Sequence, residues 1–271
     1  MRRPLDGAGT VHENQGSMYV MGIMSRERKI RCAGVQEQVE AEGQKGFRLR
    51  PRSMIKTGVL LLAAILLCVP GAMNRRAGEV AASNMTDSKK IAITFDDGPH
   101  PYYTEQLLDG LKERGVKATF FVTGQHVEEH PEVIRRMSEE GHLIGNHTYS
   151  HIQLSDSNEE VFKEELIRTN ELIEDLIGQE VQYVRPPYGS WDKKFEKELN
   201  MFPVMWTIDP LDWCSDNAAS IARKVTSKAK ENAIILMHDE YKSTVTAALQ
   251  VIDQLQEEGY EFVTVDELLF D

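Results

Sequence analysis

From Lys89 onward the sequence alternates between two hydrophobic periods, and that alternation leaves the chain few architectures to choose from. "KIAITF" alternates as a strand does, "YYTEQLLDGLKERG" carries an amphipathic helical stripe closed by Gly115, and "VKATFFVTG" is strand-like again. "PEVIRRMSEEG" follows, with proline at its start and Gly141 at its end, and leads into the strand "HLIGNH". The spacing predicts a long helix over 158–177, a strand "VQYVRPPYG", a short helix "KFEKELN" and a strand "FPVMWTID". A helix over 221–231, a buried strand "AIILMH", a helix in "VTAALQVIDQLQEEG" and the segment "YEFVTVDELL" complete the series. Helices that alternate with strands imply a mainly parallel sheet with helical crossovers. So long a run, with about seven strand-like segments, favours an α/β barrel over an open sheet. Polar residues repeatedly follow a strand's apolar run: Asp96 and Asp97, His147, Arg185, Asp209 and Asp212, and His238. In barrels that end carries the active site, so scattered motifs can converge on one face.

The sequence before Lys89 has a different character. Residues 1–76 hold 13 Lys/Arg against 6 Asp/Glu, whereas residues 77–271 hold 18 against 37, a net of +7 followed by −19. An acidic domain without a basic stripe repels phosphate backbones and anionic lipid, which argues against a nucleic-acid partner. Residues 1–53 show no sustained period and read as a disordered extension or one absent from the native protein. Residues 54–73 contain "GVLLLAAILLCV", 12 uncharged residues preceded by Arg48, Arg50, Arg52 and Lys56. That is the pattern of a signal peptide or signal anchor with its N-terminal side in the cytoplasm. The 53 residues upstream do not suit an ordinary signal peptide, a conflict removed if translation begins at Met54. Residues 74–88 are small and polar and read as a linker, which leaves 89–271 as the domain. Only Cys214 of the three cysteines falls within it, so the domain has neither an internal disulfide nor a thiolate zinc cage.

Within the domain "TFDDGP" places two acids at a strand's end. Asp-Gly-Pro is ordinary turn chemistry, and solvated acids there need no special purpose. As strand neighbours, Asp96 and Asp97 are expected to point to opposite sides, so that one holds a metal while the other meets substrate. "NHTYSH" spaces His147 and His151 four apart, which puts both imidazoles on one side if the stretch turns helically. Alone, such a pair is more often coincidence or capping; with an acid it becomes two His and one Asp, a set that leaves coordination positions open. Arg185 in "RPPYGSW" is either a solvated charge or the partner of a carboxylate, with the rigid loop aiming a backbone N–H at a developing oxyanion. His238 in "ILMHD" is either a satisfied histidine or, beside a carboxylate, a proton donor.

"TFDDGP", "HTYSH", "RPPYG", "DPLDW" and "LMH" stand in the order and approximate spacing of five motifs of the polysaccharide deacetylases, the NodB-homology domain of carbohydrate esterase family four. The chain resembles that family over residues 89–271, and most resembles the members that act on peptidoglycan N-acetylglucosamine; the resemblance implies the family's fold, a distorted (β/α) barrel of about seven strands. The resemblance implies a divalent metal, zinc before cobalt, manganese or nickel, on Asp97, His147 and His151, with Asp96 as general base. It implies Arg185 orienting Asp96, the Tyr188 backbone N–H as oxyanion donor, and Asp212 tuning His238 as general acid. Trp213 and Leu236 are similar to the walls of the family's acetyl pocket, and Thr148 matches the hydroxyl position of its second motif. The implied reaction is hydrolysis of an N-acetyl group on a cell-envelope polysaccharide, with peptidoglycan first and chitooligosaccharide, exopolysaccharide and O-acetyl xylan as alternatives. A non-catalytic wall-binding domain is the reading from another class, and none of the residues whose loss would favour it is missing. The implied setting is extracytoplasmic, secreted or membrane-anchored through residues 54–73, with a monomer favoured. The sequon Asn146-His147-Thr148 lies beside a presumed ligand, where a glycan would obstruct the site, and this favours a bacterial source.

Overall fold

The computed structural model describes residues 88–270, so the expected segments 1–53 and 54–73 and all but the last residue of 74–88 lie outside the described residues. Among the described residues seven strands, all in parallel pairs, form one curled sheet in a distorted (β/α) barrel, the parallel sheet that the alternation predicts in the form that the resemblance implies. In chain order these are β1 (Lys89–Asp96), β2 (Thr119–Val122), β3 (Leu143–Asn146), β4 (Tyr183–Val184), β5 (Phe202–Pro203), β6 (Ile234–His238) and β7 (Tyr260–Phe262). The helices are α1 (Tyr103–Glu113), α2 (Gly124–Glu129), α3 (Pro131–Glu139), α4 (Glu159–Ile177), α5 (Lys194–Glu198), α6 (Ala218–Thr226), α7 (Lys242–Glu257) and α8 (Val265–Phe270). Among the described residues no helix is long and apolar enough to cross a membrane.

The strand order is β5-β4-β3-β2-β1-β6, with β7 also on β1. β1 is the hub: its first half pairs with β7 at Lys89–Ile91, its second with β6 from Ala92 to Asp96. Side chains alternate along it. Ile91, Ile93 and Phe95 enter the large core shared with α1, α3, α6 and α7, while Ala92 joins Phe121, Val204, Ile234 and Val265 in a separate cluster. Thr94 and Asp96 continue the Ala92 face toward the strand's C-terminal end, where the polar motifs gather.

Two segments depart from expectation. "FPVMWTID" is not one strand. It pairs with β4 through Phe202 and Pro203, breaks, and pairs again at Ile208, which bridges to Ile235 of β6. Pro203 has no N–H to continue a ladder. The Val204 N–H still reaches the Val184 carbonyl (2.8 Å) and the Leu236 N–H reaches Ile208 (2.9 Å), so this segment spans from β4 to β6 and links the two sides of the sheet. The short helix α2, absent from the sequence reading, buries only Gly124 and Val127, too little for a periodic signal.

Candidate active site

Asp96 and Asp97 do not face opposite sides. Asp97 leaves the strand with φ of 74°, a left-handed conformation, and both carboxylates meet His147. Asp96 Oδ2 is 3.9 Å and Asp97 Oδ1 3.3 Å from His147 Nε2, and His151 Nε2 lies 3.4 Å from the same Asp97 oxygen. The two histidines do not reach this arrangement on a helix. Residues 147–151 form a bend in which Thr148 (φ 63°) and His151 (φ 58°) are left-handed, and the rings tilt together with centroids 4.8 Å apart.

These three residues fit a divalent metal. One ligand atom from each lies within 4.8 Å of the others, and Asp97 Oδ1 is buried without a hydrogen-bond partner. A buried, unpartnered carboxylate oxygen is costly unless a cation meets it. The His147 Nδ1–H donates to the Arg185 carbonyl, which leaves Nε2 with its lone pair on the Asp97 side. Burial raises the pKa of Asp97, but contact with His147 and the charges of His238, His147 and His151 outweigh it and hold the carboxyl well below its ordinary range. Burial lowers His147, and Asp96 and Asp97 together reverse that shift; His151, with burial dominant, stays lowered.

Arg185, expected as either a surface charge or a carboxylate partner, is fully buried. Its Nη1 donates to Asp96 Oδ1 (2.8 Å) and to the Thr94 hydroxyl, and its Nε donates to the Val204 carbonyl (3.0 Å). The guanidinium also lies 4.3 Å from the Phe121 ring centroid, over its face. These contacts fix Asp96 Oδ1 and leave Oδ2 on the His147 side.

On the neighbouring strand His238 is paired just as closely. Its Nδ1–H donates to Asp212 Oδ1 (2.9 Å) and its backbone N–H to Asp212 Oδ2 (2.8 Å), which the Thr244 hydroxyl also reaches at 2.8 Å. Burial would lower the His238 pKa, but the charge and hydrogen bond of Asp212, then Asp97 and Asp96, push it up to about 10. Nε2 is the nitrogen left to act. Leu236 lies two residues earlier on the same face of β6, and Trp213 is half-buried in the 3-10 turn Asp212–Cys214 beside Asp212. Tyr188, with φ of 59°, sets its ring edge-on to His151 with centroids 5.1 Å apart and is 60% exposed. Asp209 caps a turn instead, its Oδ1 accepting the Leu211 N–H at 2.7 Å.

Sequence reasoning missed three neighbours of this constellation. Asp239 is fully buried, accepts the Thr104 hydroxyl and has one oxygen without a partner; burial first, with Asp97 adding, pushes it up to about 6. Burial, then Asp97 and Asp239, pushes Glu240 up to about 8. Two acids directly after His238 were the available signal. The third is His126, whose Nδ1–H donates to the Asp97 carbonyl at 2.7 Å from α2, an element the sequence did not disclose.

A barrel whose strand ends gather an Asp-His-His cluster able to hold a metal, a buried Arg–Asp pair and a His–Asp pair has the makings of a hydrolase site. The sequence profile of the polysaccharide deacetylases matches residues 83–205. The chain is 39% identical over 181 residues to the peptidoglycan-N-acetylglucosamine deacetylase PgdA of Listeria monocytogenes, a match covering 67% of this chain and 39% of that one. It is 43% identical over 158 residues to a chitooligosaccharide deacetylase of Rhizobium leguminosarum bv. trifolii, covering 57% of this chain and 73% of that one. Among solved structures the peptidoglycan deacetylase PdaC of Bacillus subtilis superposes with a TM-score of 0.64 at 38% identity, covering 67% of this chain and 90% of that one. The chain belongs to the polysaccharide deacetylase family. It spans about two fifths of the length of the Listeria relative.

Proposed function

We propose that this chain is a metal-dependent deacetylase that hydrolyses the N-acetyl group of N-acetylglucosamine in peptidoglycan. The observation that carries the reading is Asp97 Oδ1, buried and unpartnered between His147 and His151, with Asp96 and His238 beside it on adjacent strands. Asp97, His147 and His151 hold the metal, for which zinc is our assignment on the two-nitrogen, one-carboxylate donor set. Bound there, the ion supplies Lewis-acid polarisation of the carbonyl and lowers the pKa of water.

The chain's own residues supply the proton movements. Asp96 Oδ2, its partner oxygen anchored by Arg185, takes a proton from the water that adds to the carbonyl carbon. The Tyr188 backbone N–H is the donor we assign to the developing oxyanion. As the C–N bond breaks, His238 Nε2 delivers a proton to the departing nitrogen, and Asp212 steadies the imidazole through Nδ1. The products are acetate and a glucosamine residue. We place Trp213 and Leu236 against the acetyl methyl.

The substrate assignment is supported by the Listeria and Bacillus relatives, which act on peptidoglycan, and the location by residues 54–73, which we read as an export signal that places the domain outside the cytoplasmic membrane. The Rhizobium relative favours chitooligosaccharide as the second reading. The test is acetate release, with zinc and with chelator, from peptidoglycan, chitopentaose and acetylated xylan in parallel. Metal-dependent release from peptidoglycan alone is expected. Release from chitopentaose or xylan moves the substrate, and silence on all three with metal bound turns the reading to a wall-binding domain.

A further inference from the structure

We propose that Glu165, on α4, is a positioning residue for the Asp97, His147 and His151 centre: its carboxylate holds the bend between the two histidines in the shape that aims both imidazoles at one point. The inference rests on the reading of that centre as a metal site.

The bend needs an external hold. It contains no regular structure, and Thr148 and His151 both take left-handed conformations that residues with side chains adopt only when their surroundings impose them. Its carbonyls are met from one side: the Gly124 and Gln125 N–H groups donate to Thr148 and Tyr149, each at 3.0 Å. Its N–H groups are met from the other side, largely by one carboxylate. Glu165 Oε2 accepts from the Tyr149 N–H (3.1 Å) and the Ser150 N–H (2.9 Å), while Oε1 accepts the Ser150 hydroxyl (2.6 Å). All three donors lie strictly between the two histidines.

The same helix grips the start of the bend. Asn146 Nδ2 donates to the Leu166 carbonyl (2.8 Å) and to Asn170 Oδ1 (2.7 Å), while its Oδ1 accepts the Thr148 N–H (2.8 Å). Phe162, Leu166 and Ile173 anchor α4 in the core, so the hold is rigid. Hydrogen bonds to a carboxylate are stronger than neutral ones, and groups that orient a metal's ligands tune its affinity without touching it. Neighbouring Glu164 is exposed and has no such contacts among the described residues.

The test measures Co2+ affinity of the full chain by chelator competition, together with the visible spectrum of the bound ion. E165A is expected to bind about 10- to 100-fold more weakly than wild type, with an altered spectrum. E165Q is expected to recover most of the affinity, because its amide oxygen can accept both N–H groups and its NH2 can donate to the Ser150 hydroxyl. E164A is expected to match wild type. Wild-type affinity and spectrum in E165A overturn the inference, as does E165Q failing as badly as E165A. Should E165A not fold, S150A decides: it removes one contact of three, and a loss of about fivefold supports the inference whereas no loss overturns it. A wild-type chain that takes up no Co2+ sinks the metal reading itself, and this inference with it.

Discussion

Asp96 and His238 are register partners on the adjacent parallel strands β1 and β6, with Thr94 and Leu236 paired two residues earlier on the same faces. Adjacent strands lie about 4.8 Å apart, so the sheet itself sets the spacing between the proposed proton acceptor and donor. Each then has a buried partner of its own, Arg185 for Asp96 and Asp212 for His238. In the proposed mechanism this division separates proton transfer from metal binding, which we assign to Asp97 and the two histidines.

The separation is testable by two substitutions one residue apart. Asp97→Ala removes one of the three proposed metal ligands and is expected to lose bound zinc and activity together. Asp96→Asn keeps the ligand set and is expected to hold zinc near wild-type affinity while kcat falls by about 100-fold or more, the scale of a lost general base. Metal content by mass spectrometry and initial rates on one preparation decide it. Equal metal loss in both variants would overturn the assignment.

Arg185 makes a second prediction, about stability. It is fully buried and donates to Asp96, Thr94 and Val204, so Arg185→Met leaves a buried carboxylate without its counter-charge. The expected cost is about 3–5 kcal/mol in urea denaturation of the apoprotein. Arg185→Lys keeps the charge but not the fork that reaches all three acceptors, and is expected to fall between the two. An Arg185→Met protein as stable as wild type would show that the pair does not stabilise the fold.

Much of this was legible in the sequence because strands alternate and helices repeat. Ile91, Ile93 and Phe95 announce one face of β1, and Asp96, His147, Arg185 and His238 follow apolar runs. What was not legible depends on groups remote in sequence. Asp97, Thr148 and His151 are left-handed, and most of the contacts around them are remote: His126 on the Asp97 carbonyl, and α2 and Glu165 on the bend, with Asn146 a local partner of Thr148. The four-residue spacing in "HTYSH" brings the two imidazoles together on a helical turn, whereas tertiary contacts bring them together on a bend. The sequence showed Pro203 but not that Ile208, five residues on, would resume pairing on β6 and link the two sides of the sheet.

Away from the site, His142 predicts how stability responds to acid. It is buried edge-on against Phe120, and its Nδ1 accepts the Ala118 N–H at 3.1 Å, so the fold uses the neutral ring. Burial, with the Lys117 charge adding, lowers its pKa from 6.5 to about 4. Between those values the unfolded chain binds the extra proton, so this contribution is whole above about pH 6.5 and is lost as pH falls toward 4, by up to about 3 kcal/mol. Asn at 142 retains an acceptor and does not titrate. Urea midpoints of the apoproteins at pH 4.5 and 7 are therefore expected to differ less in His142→Asn than in wild type. Equal differences would show that His142 does not set the slope.

Gly98, between Asp97 and Pro99, predicts a coupling across the two strand ends that carry the acids. A Cβ built there lies 2.4 Å from both oxygens of Asp239 and 2.7 Å from its Cγ. Asp239 has nowhere to retreat: it is fully buried and accepts the Thr104 hydroxyl, which itself accepts the His100 N–H at 2.7 Å. Gly98→Ala must therefore shift either the loop bearing Asp97 or the end of β6, and is expected to destabilise by about 1–3 kcal/mol and to weaken metal binding. Asp239→Ala opens the space. The double variant should then be more stable than the two single losses added together, with a coupling of about 1 kcal/mol or more. Strict additivity would mean that the contact between Gly98 and Asp239 does not constrain the Asp97 loop.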